Sequence, residues 1–212
     1  KGLSGGIVNR LFNRQTGFAL TAKGRNTTFK DHHVIGIRGP HFPSMSDWFT
    51  NASAGVSVGP KNIEVHLGFQ RTFSSIKSSF EQYVNQHNPK CLHCVGHSLG
   101  GALAQLTALW ARERGIPAKL YTFGAPRVVI GKYVPLAQIN IEHYRMIHGA
   151  DPVPKIPIWP FSHTAGEYVL SMNNNAVFSP KTHSMETSPG YVNTLSSYKS
   201  FDEMSHKYYA MN

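Results

Sequence analysis

Ser98 stands between two glycines in Gly96-His97-Ser98-Leu99-Gly100-Gly101, directly after the apolar run Cys91 to Val95 and directly before a helical pattern from Ala102 to Glu113. A serine at a tight strand-to-helix turn holds its hydroxyl above the end of a sheet. Gly96 and Gly100 remove the side chains that would collide where strand and helix converge. Such a serine can attack an ester carbonyl, provided a histidine takes its proton and an acid fixes that histidine's tautomer. G-x-S-x-G alone is a weak signal, and the strand before it and helix after it give it weight.

On open sheets of the α/β-hydrolase kind the acid follows the serine in the chain, and the histidine follows the acid. The acids after Ser98 are Glu113, Glu142, Asp151, Glu167, Glu186, Asp202 and Glu203. Asp151 stands out because it follows the run His143 to His148 through Gly149-Ala150 and precedes Pro152. That puts a carboxylate on a loop at a strand's C-terminal end, where open α/β sheets keep their sites. For the base, His163, His183 and His206 remain, and spacing does not choose among them.

The elements that must position these groups alternate along the chain. Gly17 to Lys23 and His33 to Arg38 read as strands, and Phe73, Ile76, Phe80, Tyr83 and Val84 recur at helical spacing until Asn88-Pro89. After the elbow, Leu103, Leu106 and Trp110 share one helix face, which Gly115-Ile116-Pro117 ends. Lys119 to Phe123 and His143 to His148 read as further strands, separated by a predicted short helix at 131–140. Alternation of this kind predicts an α/β fold with a mostly parallel central sheet and helices on both faces, in one domain over 1–212. From Ala165 onward the chain is polar with weak periodicity and reads as loops and short elements closing over the sheet.

Composition bounds the rest. With 212 residues, 41% of them apolar and 11% aromatic, the chain can bury a sizeable core, which argues against disorder. No apolar stretch approaches the roughly 20 residues that span a bilayer, and none has the form of a signal peptide. Lys1 in place of Met points to a trimmed or processed chain, so export is expected ahead of a cytoplasmic location. Cys91 and Cys94 sit three apart on the strand before the elbow, where their side chains point to opposite faces. They are expected to be buried core thiols, unable to bridge each other, and no metal or organic cofactor is expected. The net charge of +10 is concentrated near the start, with Lys1, Arg10, Arg14, Lys23, Arg25, Lys30 and Arg38 against Asp31. No adjacent basic run or nucleic-acid motif accompanies that charge, so anionic phospholipid is the expected partner rather than nucleic acid.

Val65-His66-Leu67-Gly68-Phe69, the elbow, Tyr121-Thr122-Phe123-Gly124-Ala125-Pro126-Arg127-Val128, and Tyr144-Arg145 through Asp151-Pro152-Val153-Pro154 resemble the class 3 lipases, the family of the filamentous-fungal triacylglycerol lipases. The resemblance runs from residue 33 to 206. It implies an α/β-hydrolase that cleaves lipid carboxylic esters, of the triacylglycerol lipase or phospholipase A1 type, through an acyl-enzyme. Ser205-His206-Lys207-Tyr208-Tyr209 resembles the family's segment around the base, and Phe161-Ser162-His163 a non-catalytic block. The implied triad is therefore Ser98, Asp151 and His206.

The resemblance also implies an oxyanion hole that uses the backbone N–H of Leu99. Pro40 follows Arg38-Gly39 where the family has a Ser or Thr, and proline carries neither N–H nor hydroxyl, so the second donor is expected from the His41 backbone. Met45, Trp48 and Phe49 match a short apolar lid, and Ile156 to Phe161 reads as acyl groove or core. Other functions on this scaffold are an acyltransferase, a feruloyl-type esterase and a degenerate membrane-binding module.

Overall fold

The structure, a computed structural model, describes residues 2–4, 17–38, 55–131, 139–149, 151–170, 180–185, 190–198 and 205–207. Strands β1 (Gly2–Ser4), β2 (Gly17–Lys23), β3 (His32–Ile37), β6 (Cys91–His97), β7 (Ala118–Phe123), β9 (Ile141–Ile147), β11 (Glu167–Val169) and β12 (Ser205–Lys207) form one sheet in the order β1-β2-β3-β6-β7-β9-β11-β12. The run from β3 to β11 is parallel, and antiparallel strands close both edges. A small antiparallel sheet in the order β10-β8-β5-β4 joins β4 (Val56–Val58), β5 (Glu64–His66), β8 (Val129–Ile130) and β10 (Phe161–Ser162).

Helix α1 (Leu67–His87) follows from its periodicity. Phe69, Phe73, Ile76, Phe80, Tyr83 and Val84, spaced by three and four, are all buried. It begins where His66 Nδ1 accepts from Gly68 N–H, and it ends at Asn88, whose φ of 43° is left-handed and which Pro89 follows. Helix α2 (Leu99–Glu113) departs from expectation. Every residue from Leu99 to Ala111 is buried, not one face alone. The cause is that α2 lies between the sheet and α1, and Phe80 of α1 approaches Trp110 at 6.4 Å. Small residues at Gly100, Gly101, Ala102, Ala104 and Ala108 permit that close packing.

The two long helices cover one face of the sheet, where Ile35, Ile37, Leu92, Cys94 and Leu120 meet them. The short helix α3 (Tyr191–Leu195) belongs to a second cluster, with Met146, Leu170, Tyr121, Phe123 and Tyr144. Strand alternation assigns Tyr121, Phe123, Tyr144 and Met146 to the opposite face, so the expectation of helices on both faces holds. Cys91 and Cys94 are buried free thiols, as expected. The helix predicted at 131–140 lies largely outside the described residues. No helix among the described residues is long and apolar enough to cross a membrane.

The register matters most for function. His97 pairs with Phe123, and Phe123 with Met146, across β6, β7 and β9. The residues just after these positions, Ser98, Gly124 and the turn at 148–151, therefore share one rim of the sheet.

Candidate active site

Ser98 has φ 57° and ψ −132°, a backbone conformation that a serine adopts only under constraint. The turn is this tight because Gly96 has no side chain: a Cβ there would come within 2.1 Å of the Gly100 carbonyl oxygen. The Ser98 N–H is fixed by the Phe123 carbonyl at 2.9 Å, and Ser98 itself is 6% exposed. Leu99 begins α2, where the first N–H groups of a helix have no intrahelical acceptor.

Asp151 is 1% exposed and its carboxylate is fully engaged. Oδ1 accepts from the Val153 N–H at 2.9 Å, and Oδ2 accepts from the Tyr191 hydroxyl at 2.6 Å. His183 Nδ1 reaches both oxygens, at 2.9 and 2.8 Å. The same Tyr191 hydroxyl accepts from the His148 N–H at 3.0 Å. Gly124, with φ +55°, opens the space for this cluster. A Cβ on it would lie 2.5 Å from Asp151 Oδ2 and 2.9 Å from the Tyr191 hydroxyl.

Among the described side chains, the histidine on the acid is thus His183, where the resemblance implied His206. His206 lies in β12, where its backbone pairs with Tyr168 at the sheet edge. His163, the other alternative, is tied elsewhere: its Nε2–H donates to the Pro154 carbonyl at 2.6 Å, and burial holds its pKa well below the ordinary value. His183 sits in a short 3-10 helix, Pro180–His183. Its Nε2 is buried and has no hydrogen-bond partner among the described residues, which leaves that nitrogen facing a nucleophile or substrate.

His97, the residue before Ser98, holds His183 in place. Its Nε2–H donates to the His183 carbonyl at 2.6 Å, and the two rings lie 4.6 Å apart. Burial, reinforced by the neighbouring imidazole, lowers the His97 pKa to about 4, so the ring is neutral at physiological pH. The sequence reading missed His97 and Tyr191. A tyrosine 40 residues from the acid has no local signature, whereas His97 was open to suspicion by its position inside the elbow.

Pro40, His41, Met45, Trp48 and Phe49 lie outside the described residues. Ile158 and Trp159 are 73% and 87% exposed, so that part of the Ile156 to Phe161 segment is not core.

Neutral buried histidines carry a pH consequence. His97 at about 4 and His143 lowered by burial and Arg145 to about 3 both stay unprotonated in the fold while an unfolded histidine titrates near 6.5. Between pH 6.5 and 4 the unfolded state therefore binds more protons, and stability falls as pH falls, by roughly 3 kcal/mol for each group across that window. Urea midpoints measured from pH 8 to 4 are expected to be flat above pH 7 and to drop steadily below 6.5. A flat profile down to pH 4.5 contradicts this.

A strained serine between a parallel strand and a buried helix, with an Asp–His pair on the same rim, defines an α/β-hydrolase fold. A sequence profile described as lipase (class 3) matches residues 34–161, and the chain belongs to that family. It is 34% identical over 173 residues to the secreted mono- and diacylglycerol lipase 1 of Fusarium solani, covering 77% of this chain and 51% of that protein. The toxin TseL of Vibrio cholerae is 35% identical over 123 residues, 55% of this chain and 19% of that one. Rhizomucor miehei lipase in complex with its propeptide superposes with a TM-score of 0.62 at 26% identity, over 82% of this chain and 55% of that chain. A structure described as a triacylglycerol lipase with a serine protease triad at its catalytic centre gives the same TM-score and covers 66% of its chain. The chain spans about half the length of the fungal mono- and diacylglycerol lipases it matches.

Proposed function

We propose that this chain hydrolyses carboxylic esters of lipids through an acyl-enzyme, with Ser98 as nucleophile, His183 as general base and Asp151 as the group that orients His183. The observation that carries this reading is the bond from His183 Nδ1 to the Asp151 carboxylate, on the rim that also bears the elbow. With Nδ1–H donated to Asp151, Nε2 of the neutral ring is the basic nitrogen. It takes the Ser98 proton as Oγ attacks the carbonyl carbon, and Asp151 stabilises the imidazolium. The Leu99 N–H receives the oxyanion, with the His41 backbone N–H proposed as second donor. Collapse expels the alcohol with the proton from Nε2. Water, deprotonated by the same nitrogen, then releases the acid and restores Ser98.

Lipid rather than soluble ester is favoured by the net charge of +10 and by the exposed Ile158 and Trp159, a few residues beyond Asp151. The fungal relatives are named for mono- and diacylglycerols, which makes neutral partial glycerides and phospholipids the two substrate classes to compare. Fatty-acid release from a panel of both, with a short soluble ester as reference, tests the proposal. Hydrolysis confined to the soluble or feruloyl ester would replace the lipid reading, transfer to an added alcohol in preference to water would indicate an acyltransferase, and no turnover at all a binding module.

The interfacial part has its own expected result. Hydrolysis of anionic vesicles should exceed that of zwitterionic ones, and the difference should shrink as salt reduces the Debye length from about 10 Å at 0.1 M to about 3 Å at 1 M. Trp159→Ala and Trp48→Ala should each lower vesicle hydrolysis several-fold more than soluble-ester hydrolysis. Parallel losses on both substrates would remove the interface from the mechanism.

A further inference from the structure

We propose that His32, Cys91 and His93 form a binding site for a zinc-class transition-metal dication, at the end of the sheet remote from Ser98. Strand geometry brings the three together. His32 of β3 pairs in register with Cys91 of the neighbouring parallel strand β6. His93 lies two residues further along β6 and so projects from the same face as Cys91. One donor atom from each of the three lies within 4.8 Å of the others.

The distances suit a small tetrahedral ion. His32 Nδ1 and His93 Nε2 are 3.0 Å apart. Two nitrogens each about 2.0–2.1 Å from a tetrahedral zinc are separated by about 3.3 Å, and a nitrogen and a sulfur on that ion by about 3.6 Å. The two imidazoles already stand close to that spacing, and the Cys91 sulfur closes the remainder by a side-chain adjustment. Two imidazoles and a thiolate favour zinc, cobalt or nickel over magnesium and calcium.

The surroundings orient the ligands. The other ring nitrogen of His93, Nδ1, lies 3.5 Å from the Tyr121 hydroxyl, and the two rings stack at 10°. That contact directs Nε2 toward His32, as outer hydrogen bonds commonly do for metal-bound histidines. Phe29 packs edge-on against both imidazoles, at 5.7 and 6.0 Å. Lys119, the register partner of His93, has its charge matched by Glu142 at 2.9 Å. Cys94 belongs to the helix-covered face and takes no part.

Ser98 lies seven residues beyond Cys91 along β6, roughly 20 Å at the rise of an extended strand. The ion therefore does not touch the hydrolytic site. It ties β3 to β6 where both strands begin, and stabilises the fold by mass action, with the logarithm of free metal concentration above its Kd.

Cobalt(II) titrated into the reduced full chain reads the site. The expected result is one ion per chain with a sulfur-to-cobalt charge-transfer band, displaced by zinc, and a zinc-dependent rise in Tm. Cys91→Ala should remove the band, His32→Gln and His93→Gln should weaken zinc roughly tenfold or more, and Cys94→Ala should leave both unchanged. Because Cys91 is buried, its variant is checked by circular dichroism and complemented on the unaltered chain. There, zinc should slow alkylation of Cys91 but not of Cys94. Absence of the band at millimolar cobalt, its loss with Cys94→Ala instead, or unchanged zinc affinity in both histidine variants overturns the assignment.

Discussion

Ser98→Ala is expected to reduce ester hydrolysis to below roughly one part in a thousand while leaving the fold in place. Alanine retains the Cβ that the elbow already accommodates at φ 57°, and the Ser98 N–H bond to Phe123 is untouched. What disappears is the hydroxyl proposed to form the acyl-enzyme. Fatty-acid release, thermal unfolding and labelling by an activated-serine fluorophosphonate check this together. Residual turnover near the unaltered level, with labelling preserved, would remove Ser98 from the mechanism.

The second large effect separates two histidines. His183→Ala should match Ser98→Ala in severity, and the double variant should be scarcely worse than either, because groups that act as one unit lose their effect together. Asp151→Asn should cost about 10⁴ in kcat, since an amide at that position favours the wrong imidazole tautomer. Asp151 keeps two donors in His183→Ala, Val153 N–H and the Tyr191 hydroxyl, so the variant is expected to fold. His206→Ala, at the sheet edge, should retain most activity. The reverse pattern, with His206→Ala inactive and His183→Ala active, would return the base to the C-terminal segment.

These expectations mark where local sequence stops carrying information. The strand and helix around Ser98 are readable because hydrophobic periodicity and the Gly and Pro signals act over a few residues. Asp151 is readable because it follows a strand whose rim position comes from parallel topology. The proposed base is different. His183 lies in a polar stretch whose only specification is tertiary: it must pass the ends of β6 and β9, where His97 and Asp151 receive it. The aromatic residues after His206 fit the family's pattern and lie outside the described residues, while the backbone of His206 pairs with Tyr168 at the sheet edge. The all-round burial of α2 was equally hidden, since a face of small residues reads as neutral until α1 is laid across it. Cys91 read as core because its partner His32 is 59 positions away in sequence, brought near only by strand order.

That burial of α2 has a consequence for how the molecule loses activity. The serine is anchored to the segment whose amides should exchange only when the whole domain opens, because thirteen consecutive residues there have no face toward water. The histidine rides on a single short turn, retained by the His97 contact, the Asp151 pair and the backbone bonds of Ser184 and Met185 to Tyr191 and Val192. The proposed nucleophile and base thus belong to opposite ends of one ladder of local opening energies. Gentle heating would separate them while spectroscopic signals of the sheet still read native, so catalysis would report on the weakest rung and global unfolding on the strongest.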